Sequence, residues 1–244
     1  MNKNQSKFAL NVATNLLAGL LTILILTACT KEECNCPSVT IPTDGLIAYY
    51  PFNGNAHDES GNGHNPVEIT ATLTTDRNGN SNAAYQFDGD LGQFIKIPDH
   101  DALDPLNDFA FTFWINPQSY ASVAGQILNK YKAFVNNEGA WAAQLDPNHL
   151  GVSPGFWSNS IIPLNTWTFG ALVFTKASNA YSVYLNGELD ASGTCPVVIQ
   201  NNPRDLYIGI HESVEYGNFH GKIDDIRMYN CTLTEEQVMA IYNE

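Results

Sequence analysis

Basic residues are scarce: 11 Lys and Arg stand against 25 Asp and Glu, for a formal net charge of −14. They are scattered from Lys3 to Arg227 without a cluster. The chain therefore lacks the positive patch that a phosphate backbone needs, which excludes nucleic acid as a partner. The acidic excess favours divalent cations and neutral ligands over anionic ones. Long apolar runs are missing too, because the run Leu16–Leu26 has 11 residues, too few to cross about 30 Å of hydrocarbon as a helix. No His-Glu-x-x-His and no phosphate loop occur, and the six histidines show no metal-ligand spacing. At 44% hydrophobic and 15% charged residues, the chain still has enough apolar surface to fold rather than stay disordered.

The amino-terminal segment reads as an export signal. Lys3 and Lys7 precede the apolar run, which ends in Leu26-Thr27-Ala28-Cys29. That tetrad resembles the bacterial lipobox, in which small residues admit the signal peptidase before a cysteine whose thiol takes the lipid; the alternative is an ordinary secretory signal cut nearby. On the lipobox reading, residues 1–28 are a signal peptide and Cys29 is the membrane anchor. Removing them takes away two lysines and no acid, which leaves a charge of −16. Thr30-Lys31-Glu32-Glu33 is similar to the export signal of surface lipoproteins in the Bacteroidetes, which implies an outer-membrane, cell-surface location. Residues 29–44 then form a lipidated, flexible linker rich in Cys, Pro, Ser and Thr.

With Cys29 lipidated, Cys34, Cys36, Cys195 and Cys231 remain. Four cysteines in an oxidising compartment allow three pairings. The Cys34-Asn35-Cys36 pair lacks the partners that a zinc site needs. A Cys195–Cys231 disulfide is the expectation for the domain, since these residues flank the last strands.

From Gly45 onward, short β-branched and aromatic runs alternate with Gly, Asn, Asp and Pro. A dozen such runs predict strands, and strands at this spacing predict two packed antiparallel sheets, an all-β sandwich. Tyr181–Leu185 followed by Asn186-Gly187 predicts a two-residue type I′ hairpin, because both turn residues tolerate positive φ. Thr234-x-x-Gln237 is a capping box ahead of Val238, Ile241 and Tyr242, which predicts one closing helix.

Seven blocks carry a resemblance: Leu46–Asn55, Asp58–Gly63, Tyr85–Gly89, Phe111–Ile115, Thr166–Val173, Tyr184–Gly187 and Gly221–Asn230. In this order they resemble the laminin G-like, concanavalin A-like jelly-roll family over residues 45–244. The resemblance implies one two-sheet jelly-roll domain whose face or edge loops bind glycans. Catalysis is not implied, because the fold hosts lectins and adhesins as well as glycosidases.

Two motif tests argue against an enzyme. Glycosidases need two carboxylates about 5 Å apart, and the nearest approach to a Glu-x-Asp-x-Glu strand is Glu188-Leu-Asp190-Ala-Ser192, which ends in Ser. Gly151-Val-Ser-Pro-Gly155 matches Gly-x-Ser-x-Gly, but Pro154 lacks the N–H that an oxyanion hole requires. For calcium, Asp58-x-Ser60-x-Asn62-Gly63 sets oxygens at alternate positions before a Gly turn. The resemblance implies that an acidic residue of the last strand joins it. Strict alternation there puts Asp224 on the face of Ile226 and Met228, with Asp225 opposite. Asp58 and Asp224 are thus the expected Ca2+ ligands, with Asp58 as a turn residue and Asp224 bonded to backbone as the alternative. Asp76-x-Asn78-x-Asn80 lacks the Gly and reads as a hairpin turn.

The expected ligand is a neutral carbohydrate. An indole face stacks on the apolar face of a sugar, and Trp114 and Trp167 lie in strand blocks, so Trp141 and Trp157 are the freer candidates. Asn136, Asn137, Gln144, Asp146 and Asn159 lie nearby to bond hydroxyls. The alternative is an adhesin or structural domain that docks a protein, for which a broad exposed apolar patch would be the mark.

Overall fold

The computed structural model describes residues 40–244, except 90–91, 131–140, 154, 197–198 and 212–216. Cys29, Cys34, Cys36, Asn136 and Asn137 lie outside the described residues. Among the described residues, fifteen strands and one α-helix follow in order. They are β1 Leu46–Tyr50, β2 Glu68–Ile69, β3 Thr72–Thr74, β4 Ala84–Asp88, β5 Ile95–Ile97, β6 Phe109–Ser119 and β7 Gly125–Asn129. Then come β8 Ala142–Leu145, β9 His149–Ser153, β10 Phe156–Ile161, β11 Thr168–Thr175 and β12 Ala180–Leu185. The last are β13 Glu188–Thr194, β14 Leu206–Ile208, β15 His220–Tyr229 and helix α1 Glu235–Tyr242.

Two antiparallel sheets form a jelly-roll sandwich. The first runs β13-β12-β11-β6-β15-β4-β3, with β1 pairing the far half of β15. The second runs β10-β9-β8-β7-β14-β5-β2. Alternation decides the layers: Phe109, Phe111, Phe113 and Ile115 of β6 point inward, as do Leu150 and Val152 of β9 and Leu206 and Ile208 of β14. Aromatic stacking joins the sheets, since Phe111 of β6 lies 4.8 Å from Trp141, centroid to centroid and 18° from coplanar. At the sandwich edge, Asp190 of β13 accepts from the backbone N–H groups of Asn159 (2.6 Å) and Ser160 (3.2 Å) of β10. That contact ties the edge strand of one sheet to the edge strand of the other and covers both edges.

The hairpin at Asn186-Gly187 has φ of +51° and +82°, as its sequence requires. The capping box at Thr234 and Gln237 is formed. Helix α1 lays Val238 and Ile241 on the outward face of the first sheet, against Ala110, Phe169, Ala171, Tyr184 and Tyr229. Each of these two apolar side chains contributes about 1.5–3 kcal/mol when fully buried. Strands β9 and β10 were not foreseen, because Gly151, Ser153, Pro154 and Gly155 break the β-propensity signal. Among the described residues, no helix is long and apolar enough to cross a membrane.

Candidate functional site

The outward face of the second sheet carries the candidate site. Its register lines up Trp157 (β10), Gly151 (β9), Gln144 (β8) and Gln126 (β7) in one cross-strand row. Gly151 makes the row possible. A Cβ at that position would lie 2.5 Å from the Trp157 ring and 2.1 Å from the Phe156 carbonyl oxygen, so only glycine lets the indole settle across the strand. Trp157 is half-buried there. Beside it, the Gln126 side-chain amide donates to Gln144 Oε1 (2.7 Å) and accepts from Asn129 Nδ2 (3.2 Å). These amides are buried and satisfy one another, which fixes their orientation. A parallel row one step along the strands holds Ser153, Ala142, Asn129, Tyr207, Lys96 and Glu68. Within it, Lys96 pairs with Asp205 at 3.0 Å. The Trp157 row itself carries no charge.

Of the sequence-predicted ligand residues, the fold brings Trp157 and Gln144 together. Trp141 is a correction: its ring is 0% exposed between the sheets, because its place just before β8 points it inward while Ala142 and Gln144 point out. Asp146 is exposed in the β8–β9 turn, where its N–H donates to the His149 carbonyl. Gln126, Asn129 and Gly151 were missed as site residues. A signal existed for the first two, since amides inside a strand are uncommon and call for partners. Trp114 and Trp167 are both only partly buried, Trp114 packing on Phe169 and Tyr242 outside the first sheet.

Protein donors engage both of the expected calcium ligands. Asp58 Oδ1 accepts from the N–H groups of Tyr49 and Ser60, each at 2.9 Å, and Oδ2 accepts from His64 N–H at 2.8 Å. Burial pushes the Asp58 carboxyl up, but these bonds together outweigh it and hold the group below the ordinary carboxylate range. Asp224 lies elsewhere in the bonding network and faces the other way from the expectation. Asp225 has φ of +48°, a bulge that breaks the register between Asp224 and Arg227 and turns both aspartates outward. There Arg77 Nη1 meets Asp224 Oδ2 at 2.9 Å and Asp225 Oδ2 at 2.6 Å. Burial, with the neighbouring Asp225 second, pushes Asp224 up to about 8, and Arg77 opposes that shift. Among the described residues, no three His, Cys, Asp or Glu side chains converge as a metal site would need.

The expected disulfide is likewise corrected. Cys195 and Cys231 are free thiols: Cys195 Sγ donates to the Gly155 carbonyl (3.3 Å) and Cys231 Sγ to the Asp44 carbonyl (3.6 Å). Asp190, which the Glu-x-Asp search singled out, spends its carboxylate on the β10 backbone.

The chain belongs to the concanavalin A-like lectin/glucanases superfamily, whose Laminin_G_3 family model matches residues 87–239. Among solved structures it is similar to the binding domain of Paraclostridial Mosquitocidal Protein 1, with TM-score 0.66 and 16% identity, over 82% of this chain and 52% of that one. It is also similar to domain 4 of AbnA, an extracellular arabinanase from Geobacillus stearothermophilus solved in complex with arabinotriose. There the TM-score is 0.55 at 24% identity, over 81% of this chain and 98% of that one. It is similar as well to a structure of botulinum neurotoxin type C, with TM-score 0.59 and 16% identity, over 82% of this chain and 51% of that one. This chain spans about half the length of the toxin domains. Identities this low show the fold alone. No curated protein sequence matches.

Proposed function

We propose that this is a non-catalytic, lipid-anchored domain of the bacterial outer membrane that binds a neutral oligosaccharide or polysaccharide on the outward face of its second sheet. The observation that carries the reading is the Trp157 indole, laid over Gly151 in an uncharged row with Gln144 and Gln126. A half-exposed indole stacks on the apolar face of a sugar, and the fixed amides beside it keep its surroundings polar and uncharged. Three strand spacings separate Trp157 from Gln126, about 14 Å at ordinary sheet geometry, the reach of a short oligosaccharide. The arabinotriose complex of the AbnA domain supports a carbohydrate ligand for this fold. One stacked indole contributes about 0.5–1.5 kcal/mol beyond its buried area, so a site built on it has micromolar to millimolar affinity. Many copies anchored through Cys29 would compensate by avidity.

A glycan array on the full chain, followed by calorimetry on the best neutral oligosaccharide, tests the reading. Binding that falls by about two- to thirteenfold in Trp157→Ala, as loss of a ring contact of this size implies, supports it. A bound glycan whose affinity is unaffected by Trp157→Ala moves the site elsewhere. Turnover of the bound glycan overturns the non-catalytic assignment. Detergent-phase partitioning tests the anchor, which Cys29→Ala abolishes.

A further inference from the structure

The cleft outside the first sheet is built like a cation site and already holds a cation. Its walls are Tyr49, Asp76, Arg77, Asp224, Asp225 and Glu244, among others. Asp76 belongs to the hairpin turn, accepting from the N–H groups of Asn78 and Asn80 at 2.8 Å each. Glu244 pairs with Arg227. That leaves Asp224 and Asp225, whose four carboxylate oxygens all have a donor. Asp224 Oδ1 accepts from Asp225 N–H (2.9 Å) and Asp225 Oδ1 from the Tyr49 hydroxyl (3.2 Å). Both Oδ2 atoms accept from the single nitrogen Arg77 Nη1.

The chain goes out of its way to make this arrangement. An aspartate at φ +48° is strained backbone, and it persists only where its surroundings over-determine it. The strain places two successive carboxylates on one face of a strand, where simple alternation would place one. Both then converge on one guanidinium, which is itself seated 4.7 Å above the Trp114 ring, a cation–π contact. The Arg77 side chain is 13% exposed and the Asp224 side chain 2%. A hard divalent ion takes six to eight oxygen ligands at roughly 2.3–2.6 Å. At such distances from these two Oδ2 atoms it would lie beside the guanidinium, against like charge, in a site where water screens little.

We propose that the Arg77 guanidinium is the resident cation of this cleft, so that the domain folds without a divalent metal and acquires a divalent-cation site only when Arg77 is removed. The inference is independent of the carbohydrate site on the other sheet.

Thermal unfolding of the full chain, followed by tryptophan fluorescence in EDTA and in millimolar calcium chloride, tests it. The wild type is expected to melt at the same midpoint in both. Arg77→Ala is expected to melt several degrees lower in EDTA and to regain part of the loss in calcium, as the two carboxylates take up the ion in place of the guanidinium. Arg77→Lys, which keeps a cation, is expected to respond to calcium less than Arg77→Ala. A wild-type midpoint raised several degrees by calcium overturns the proposal, and so does an Arg77→Ala midpoint equal to the wild type in EDTA. Calorimetric titration of the wild type with calcium gives a readout even where Arg77→Ala fails to fold. No binding heat supports the proposal, and saturable binding that Asp224→Asn abolishes overturns it.

Discussion

Trp141 and Trp157 are 16 residues apart in the chain and look equally available in it, yet one lies in the core and the other half-buried on the outer face of the second sheet, a difference that a pair of alanine substitutions reads out. Trp141 is wholly buried against Phe111, bridging the two sheets. Removing a large buried aromatic costs about 3–5 kcal/mol, through lost transfer energy and the cavity left behind. In a domain of this size each kcal/mol shifts the melting midpoint by about 2–4 °C, so Trp141→Ala is expected to melt roughly 6–20 °C below wild type. Trp157 is only half-buried, and Gly151 beside it has no side chain to pack. Trp157→Ala is therefore expected to move the midpoint by a few degrees at most, while weakening glycan binding by about 0.5–1.5 kcal/mol. Thermal unfolding by circular dichroism reads the first effect, and calorimetry at a temperature where all three proteins are folded reads the second. If Trp141→Ala melts with the wild type but loses the glycan, or if Trp157→Ala is the one that unfolds, the assignment of faces to the second sheet is wrong.

Lys130 is fully buried and pairs with Asp104 at 3.1 Å and Asp99 at 2.7 Å; Lys130→Ala strands the buried Asp104 carboxylate and is expected to cost about 3–5 kcal/mol by urea titration. Asp58 is held below the ordinary carboxylate range in the fold, so its contribution to stability is present above the unfolded carboxylate pKa and is lost as pH falls through the lower folded value. Denaturant midpoints between pH 2 and 6 should therefore fall less steeply with acid in Asp58→Asn, which also loses about 1–3 kcal/mol for each N–H left buried without an acceptor. Equal slopes would show that the Asp58 hydrogen bonds do not distinguish its charged form. Peptide mass mapping without reductant should find no Cys195–Cys231 linkage, and a cross-linked peptide would refute the positions of those two thiols. Asp190→Asn weakens the acceptor that holds Asn159 and Ser160 and is expected to lower glycan affinity through the mobility of β10, with less effect on the midpoint than Trp141→Ala.

Local signals were legible in the chain because their physics is local. The Asn186-Gly187 turn needs two positive φ angles, the helix needs a cap and an apolar stripe, and each requirement is written within a few residues. Seven short blocks in order carried the sandwich and its family for the same reason, since each encodes one strand or turn. Which face a residue occupies is a different matter, because it depends on register, and one inserted residue reverses it. Asp225 is such an insertion, and its bulge turned Asp224 from the expected inward side to the Arg77 cleft. Arg77 itself is 147 residues away along the chain, beyond the reach of any spacing rule. The same holds for Trp157, whose proposed role rests on a glycine in the adjacent strand and on two amides in strands further along the row. Composition and pattern determined a two-sheet sandwich; only the pairing of strands decided that Trp141 is core, that Trp157 lies half-buried on the outward face of the second sheet, and that the acidic pair meets Arg77.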